Sequence, residues 1–364
     1  MRLLLEYSGE HPTLPHEEFA GAMEALGLGA RRIEGSHRHE LLEVEAKKTR
    51  VLDAVRRLAF TFVAVDHSFT APADTNAILS EAKRHPLEFK GSFAARARLV
   101  DLEAPTPLHP TFQPQPLAAS PRGSTNPTKV EATLGEAYHT THPVNLDHPE
   151  VVVRALLVNG SCHVGTVLWE NDRSTFEARK VKFRPMFSPV SMHPKLARAL
   201  VNLARASPGA LVYDPFCGTG GSLLEAGLVD ARVIGSDIDK RMVAGTKTTL
   251  EHFGVKQHTL FACDIGDAPR ELAVRFPVPL VDAIVTDMPY GRSATLNSEK
   301  AHSLYARAFK VFLQILKPGG RAVVGLPTPE AVALGPEAGL LLEGVHPYRV
   351  HKSLTRHFAV FRAP

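Results

Sequence analysis

Three short apolar segments in the second half of the chain each run into an aspartate: Leu211-Val212-Tyr213-Asp214, Val233-Ile234-Gly235-Ser236-Asp237 and Leu260-Phe261-Ala262-Cys263-Asp264. Continuously apolar strands separated by helical stretches must be buried on both faces, which calls for a parallel sheet covered by helices. Such sheets bind ligands beyond the carboxyl ends of their strands, where these aspartates stand. A nucleotide-like ligand is expected there. The first strand opens into Asp214-Pro215-Phe216-Cys217-Gly218-Thr219-Gly220-Gly221-Ser222, whose glycines let the backbone pass close to a ligand and enter a helix. A glycine-rich turn alone is a weak signal. It gains weight from Asp237 at the next strand end, about 20 residues on, where a carboxylate can accept from both hydroxyls of a ribose.

That geometry suits NAD as well as S-adenosylmethionine. The turn lacks the GxGxxG of dinucleotide folds and no further phosphate cradle follows, which favours S-adenosylmethionine. Asp264 then faces the adenine amine. The expected cofactor site is Asp214, Pro215, Phe216, Gly218, Gly220, Asp237, Ile238, Asp264 and Ile265.

The most informative stretch is Asp282-Ala283-Ile284-Val285-Thr286-Asp287-Met288-Pro289-Tyr290-Gly291, a buried strand ending in Asp-x-Pro-Tyr-Gly. An aromatic amine has its lone pair delocalised into the ring, so its attack on a methyl sulfonium needs acceptors that hold the N–H groups and direct the nitrogen. The Asp287 carboxylate and a carbonyl at Met288 or Pro289 fit that task. Tyr290 is placed to stack on the base, which has to leave its helix to reach the cofactor.

The first third reads as strand 2–7, helix 16–28, strands 30–33 and 40–44, helix 49–58 with Thr49 as N-cap, and strand 60–65. That is the ferredoxin-like order, which assigns no chemistry by itself. Beyond it come a helix at 78–85 and strands at 92–100, 151–158 and 163–169. Seven prolines between 104 and 127 mark an exposed loop. At 364 residues the chain exceeds one usual core, and its 44% hydrophobic and 22% charged residues are those of a globular protein. No signal peptide or membrane span is read, and a cytosolic location is expected. Three scattered cysteines form no disulfide framework and read as buried thiols, while the eighteen histidines show no zinc-ligand spacing, so no metal is assigned.

These motifs resemble class I methyltransferases acting on exocyclic amines, whose fourth-strand motif is Asp/Asn-Pro-Pro-Tyr or Phe. More closely, Phe183 to Phe187, Ser191 to Arg198, Asp214 to Gly227, Asp287 to Thr295 and Val350 to Arg356 look like the archaeal tRNA guanine-10 N2-methyltransferases, and the resemblance covers nearly the whole chain. It implies an α/β chain of three parts: a ferredoxin-like domain at 1–68, a THUMP RNA-binding domain at 69–170 that includes the proline-rich loop, and, after a linker at 171–187, a Rossmann-like methyltransferase domain at 188–364 with a mostly parallel sheet. Gly91 to Arg98 and Pro143 to Glu150 look like the THUMP signature, and such a domain recognises the 3′ end of tRNA. The resemblance also implies a second methyl transfer, giving N2,N2-dimethylguanine. Met288 departs from the family's first proline, Asn145 stands where THUMP usually has aspartate, and the proline-rich loop is longer than the family's.

A formal charge of +4 permits a polyanionic partner without proving one. Its placement says more, since Lys and Arg meeting phosphates carry RNA affinity. Arg84, Lys90, Arg96 and Arg98 in the THUMP-like part, Lys182 and Arg184 in the connector, and Lys352 and Arg356 near the C-terminus are the expected RNA contacts. The expected partner of this monomer is tRNA, not DNA and not a membrane. Rival readings are the same chemistry at another tRNA or ribosomal RNA position, a non-catalytic RNA-binding protein with a degenerate methyltransferase domain, and an NAD-dependent oxidoreductase. Intact Asp214, Asp237, Asp264 and Asp287 speak against the non-catalytic reading.

Overall fold

The computed structural model describes residues 1–100, 102, 125–187, 191–289, 301–351 and 354–364, His351 by its backbone alone. By contact these divide into two units: Met1–Pro15, Leu28–Arg56 and Thr61–Asn171 in the first, and His16–Gly27, Arg57–Phe60 and Asp172–Pro364 in the second.

The first unit is built on one seven-stranded sheet, β1 (Arg2–Tyr7), β2 (Ala30–Ser36), β3 (His39–Val44), β4 (Thr61–Pro72), β5 (Phe93–Leu99), β6 (Val151–Val158) and β7 (Ser161–Glu170), in the order β2-β3-β1-β4-β7-β6-β5. With α1 (Leu14–Ala25) and α2 (Lys48–Val55) in sequence between the strands, the β-α-β-β-α-β order is the one expected. Strand β4 runs well past the expected end at 65. Its first half pairs antiparallel with β1 and nearly its whole length pairs antiparallel with β7, so a single sheet continues through both halves of the unit. Thr49 is not the cap of α2. Lys47 holds that position and makes no side-chain cap bond.

Helix α3 (Thr75–Arg84) is capped by Asp74, whose carboxylate accepts from the Asn76 and Ala77 amides. Helix α4 (Pro127–Tyr138) has no counterpart in the sequence reading. Ile78 and Ala82 of α3 and Val130, Leu134 and Tyr138 of α4 close a core against Phe69, Phe93, Val153 and Val164 of the sheet. The proline-rich loop lies outside the described residues except for its last three, where Asn126 caps α4 and Pro127 opens it.

The second unit carries the other sheet: β8 (Leu211–Asp214), β9 (Arg232–Asp237), β10 (His258–Ala262), β11 (Val281–Asp287), β12 (Leu316–Leu326), β13 (Leu341–His351) and β14 (Leu354–Arg362). Their order is β10-β9-β8-β11-β12-β14-β13, with the first five parallel and β14 antiparallel to both neighbours. The direction of winding reverses between β8 and β11, which places a ligand crevice at their carboxyl ends. Helices α5 (Ser174–Ala178), α6 (Pro194–Leu203), α7 (Gly221–Gly227), α8 (Lys240–His252), α9 (Ala268–Arg275), α10 (Ala301–Ile315) and α11 (Leu334–Glu337) complete it. Tyr213, Ile284, Val324 and Phe361 from the strands and Phe309 and Phe312 from α10 share one core. No helix among the described residues is long and apolar enough to cross a membrane.

Residues of α1 and 57–60 also belong to the second unit, through a buried polar knot. Glu18, wholly buried, accepts from the Ala59 amide at 2.7 Å, the Phe60 amide at 2.9 Å and the Asn202 side-chain amide of α6 at 3.0 Å. Asn202 in turn donates to the Arg57 carbonyl at 2.9 Å.

Candidate active site

The turn after β8 is held from several sides. Gly218 and Gly220 stand at φ of 49° and 79°, the left-handed region where a side chain is strained. Thr246 of α8 donates to the Gly218 carbonyl at 2.8 Å, and Asp237 Oδ2 accepts the Gly218 amide at 3.0 Å. Asp237 Oδ1 accepts the Asp239 amide at 2.9 Å. Each carboxylate oxygen of Asp237 thus carries one backbone bond and has a second lone pair to offer, as a pair of ribose hydroxyls requires. Ile238 beside it is 44% exposed, an apolar face open to a ring.

Asp214 is only 2% exposed. Its Oδ1 accepts from Thr286 Oγ1 at 2.7 Å and from the Phe216 amide at 3.1 Å, and burial pushes its carboxyl up to about 7. The side chain therefore holds the glycine turn to β11. Asp264 accepts from the Gly266 amide at 2.8 Å and from the Arg307 guanidinium, which holds its carboxyl below the usual range. Ile265 is 3% exposed and packs in the core.

Thr286 is followed at once by Asp287, the last residue of β11, so the 2.7 Å bond to Asp214 ties the amine-acceptor motif to the glycine turn. The Asp287 side chain is 29% exposed and pairs with the Arg356 guanidinium. The Met288 side chain is wholly buried, and its amide donates to the Gly325 carbonyl at 2.9 Å. A proline there has no N–H to give, so this bond restrains the turn in place of the family's ring. The Pro289 carbonyl accepts from Tyr305 Oη at 2.6 Å. Tyr290 and Lys352 lie outside the described residues.

The expected RNA contacts separate by burial. Lys90 is exposed, Arg84 is exposed and pairs with Glu81, and Lys182 is exposed and lies over the Phe183 ring. Arg96 donates to the Leu146 carbonyl at 2.7 Å, and Arg98 joins Arg154 on the buried Glu6. Arg184 and Arg356 are 5% and 2% exposed, which sets both guanidinium groups inside the protein and not on its surface. Arg184 Nε donates to the Arg179 carbonyl at 2.8 Å, while its Nη1 and Nη2 have no hydrogen-bond partner among the described residues. The sequence reading missed Thr286, Arg307, Tyr305 and Gly325, which lie far in sequence from the groups they hold and carry no spacing signal. It also missed Glu225, fully buried between Arg179 and Arg198.

Strand order, glycine turn and amine-acceptor motif together define a class I, Rossmann-like methyltransferase that uses S-adenosylmethionine. Residues 182–356 match the UPF0020, RMKL-like methyltransferase domain family. The chain is 30% identical over 358 residues, 98% of each chain, to a protein of Methanothermobacter thermautotrophicus named tRNA (guanine(10)-N2)-dimethyltransferase. It is 37% identical over 236 residues, 64% of this chain and 69% of the other, to the Pyrococcus abyssi protein of the same name. The crystal structure of TrmN from Thermus thermophilus shares the fold over the full length of both chains, at 23% identity and a TM-score of 0.54. The chain belongs to the archaeal tRNA (guanine(10)-N2)-methyltransferase family.

Proposed function

We propose that this protein methylates the exocyclic N2 of guanosine 10 in tRNA, with N2-methylguanosine and then N2,N2-dimethylguanosine as products. The observation that carries the chemistry is the Thr286 to Asp214 hydrogen bond, which fixes Asp287 and the carbonyls after it against the cofactor turn. The position rests on the names of the relatives, among which a Thermus thermophilus protein, 30% identical over 201 residues and spanned over 56% of its length, is named for guanine 6 instead.

The residues present fit S-adenosylmethionine. Asp237 offers two oxygens to the ribose, Ile238 an apolar face to the adenine, and Arg184 two buried, unpartnered nitrogens to the amino-acid carboxylate. A Cβ built on Gly221 lies 3.1 Å from Arg184 Nη1, which sets that guanidinium against the first residue of α7. Bound there, the cofactor supplies a methyl group on a positively charged sulfur. Asp287 accepts a hydrogen bond from the guanine amine. The Met288 or Pro289 carbonyl, each with a second lone pair, takes the other N–H. As the nitrogen gains positive charge these acceptors strengthen, which lowers the barrier. Solvent takes the released proton, and Tyr290 stacks on the base.

We assign residues 1–68 to a ferredoxin-like domain, 69–170 to a THUMP domain that holds tRNA with Arg84 and Lys90 at its surface, 171–187 to a linker that carries Lys182 on its surface and, from Asp172, packs as part of the second unit, and 188–364 to the catalytic domain. Arg96 and Arg98 keep a role in RNA contact only if their present partners are exchanged for phosphate. The protein acts as a cytoplasmic monomer on tRNA and not on DNA. Asp287→Ala is expected to lower kcat for tRNA methylation by about 10²–10³ while S-adenosylmethionine binding by calorimetry stays at the wild-type level. A fully active variant would remove Asp287 from the reaction.

A further inference from the structure

Asp287 on β11, Gly325 on β12 and Phe358 on β14 lie in one row across three adjacent strands. Arg356 stands two residues before Phe358, with Leu326 and His357 in register between them. Strands are spaced about 4.8 Å apart, so a side chain on β14 has to pass over the whole width of β12 to meet one on β11. It does so at Gly325. Arg356 Nη2 donates to the Gly325 carbonyl at 3.0 Å, lies 3.3 Å from the Met288 carbonyl and pairs with Asp287 Oδ1. A Cβ built on Gly325 falls on the Asp287 carboxylate and comes within 3.2 Å of Arg356 Nη2 and 3.0 Å of the Phe358 ring. Any other residue at 325 closes the passage.

We infer that Arg356 is the positioning residue of the amine acceptor, its guanidinium reaching through the gap at Gly325 to fix Asp287 Oδ1 and the Met288 carbonyl so that Oδ2 meets the guanine amine. The inference rests on the proposed role of Asp287. Stability alone does not account for the arrangement. Desolvating an ion pair offsets most of its attraction, and well-packed apolar residues commonly do as well or better. Here a long cation is 2% exposed beside a carboxylate left 29% exposed, an asymmetry that suits one oxygen held and one presented. Burial pulls the Arg356 guanidinium down only to about 9, so it stays cationic at neutral pH.

The test compares Arg356→Met, Arg356→Lys, Gly325→Ala and Asp287→Ala in the full chain, on tRNA transcript. Arg356→Met is expected to lower kcat by about 10–100-fold with the dissociation constants for tRNA and S-adenosylmethionine unchanged. The acid limb of its kcat–pH profile should move up by about one pH unit, because the carboxylate has lost a neighbouring cation. Arg356→Lys keeps the charge without the reach; it should hold the acid limb near the wild-type position and recover part of the rate. Gly325→Ala should lower kcat with Arg356 still in place. Weaker tRNA binding and a shallower salt dependence in Arg356→Met, at unchanged kcat, would make Arg356 a phosphate contact and overturn the inference. So would unchanged kcat and acid limb in both Arg356→Lys and Gly325→Ala. If Asp287→Ala is itself fully active, it is the proposed chemistry that fails; if only Asp287→Ala loses activity, the failure belongs to Arg356.

Discussion

Asp214 and Asp287 end neighbouring strands of one sheet, and their surroundings give them opposite tasks. Asp214 is buried and bonded within the protein, and burial raises its carboxyl to about 7, whereas Asp287 keeps an exposed edge. A carboxyl whose folded pKa lies above its unfolded one binds more protons folded than unfolded, so its contribution to stability is fully present below the unfolded value of about 3.8 and falls as pH rises through 7. Asp214→Asn removes that slope. Urea unfolding at pH 5 and pH 8 should show the wild type losing more stability over that interval than the variant; equal losses would contradict a raised carboxyl. His67 and His346, pulled down to about 4 by burial, act in the other direction: their contribution is lost as pH falls from about 6.5 towards 4. The types and order of the site residues were legible because each aspartate closes an apolar run. Their partners were not, because Gly325 and Arg356 meet Asp287 only through strand order, and Arg307 meets Asp264 only through the placement of α10. Arg356 stood among the basic residues near the C-terminus, and composition cannot tell a buried arginine from a surface one.

At the level of elements, what sequence periodicity reveals depends on how much of the burial is local. Strands β6, β8, β9, β10 and β11 were legible as apolar runs, and α1 and α2 by the spacing of their apolar faces. Helix α4 was missed although Asn126-Pro127 is a capping residue followed by a proline at the first helical position, because the proline was counted with the loop before it. The long β4 was cut short at Val65, since its second half alternates with Asp66, His67, Ser68 and Thr70, which face away from the core or pair with one another: His67 Nε2 and Thr70 Oγ1 lie 3.0 Å apart. The knot around Glu18 could not be read from sequence at all, since it joins residues 18, 57–60 and 202. Glu18→Ala leaves three buried N–H groups without their acceptor and should destabilise the protein by about 1–3 kcal/mol or more. Thermal unfolding of that variant within 1 °C of the wild type would show the knot to be incidental; an unchanged midpoint is not expected for a group this buried.

The whole molecule combines a mixed sheet in the first unit with a sheet in the second whose strand order brings the ends of β8, β9 and β11 to one crevice. Four of the five parallel strands of that second sheet were legible as apolar runs. Strand β12 and the antiparallel pair β13 and β14 were not, yet β14 carries Arg356, whose guanidinium reaches Asp287. The Thr286 to Asp214 bond, which joins the end of β11 to the glycine turn, lies wholly within the second unit. Binding through Lys and Arg on phosphates predicts that log Kd for tRNA varies linearly with log salt, and Lys90→Ala should lower the slope by about 1; an unchanged slope would take Lys90 off the interface. The central claim is that this protein methylates guanosine 10 of tRNA. Its most direct test is transfer of labelled methyl groups from S-adenosylmethionine to an unmodified tRNA transcript and to the same transcript carrying adenosine at position 10. The account predicts label on the first and none on the second; equal label on both would contradict it.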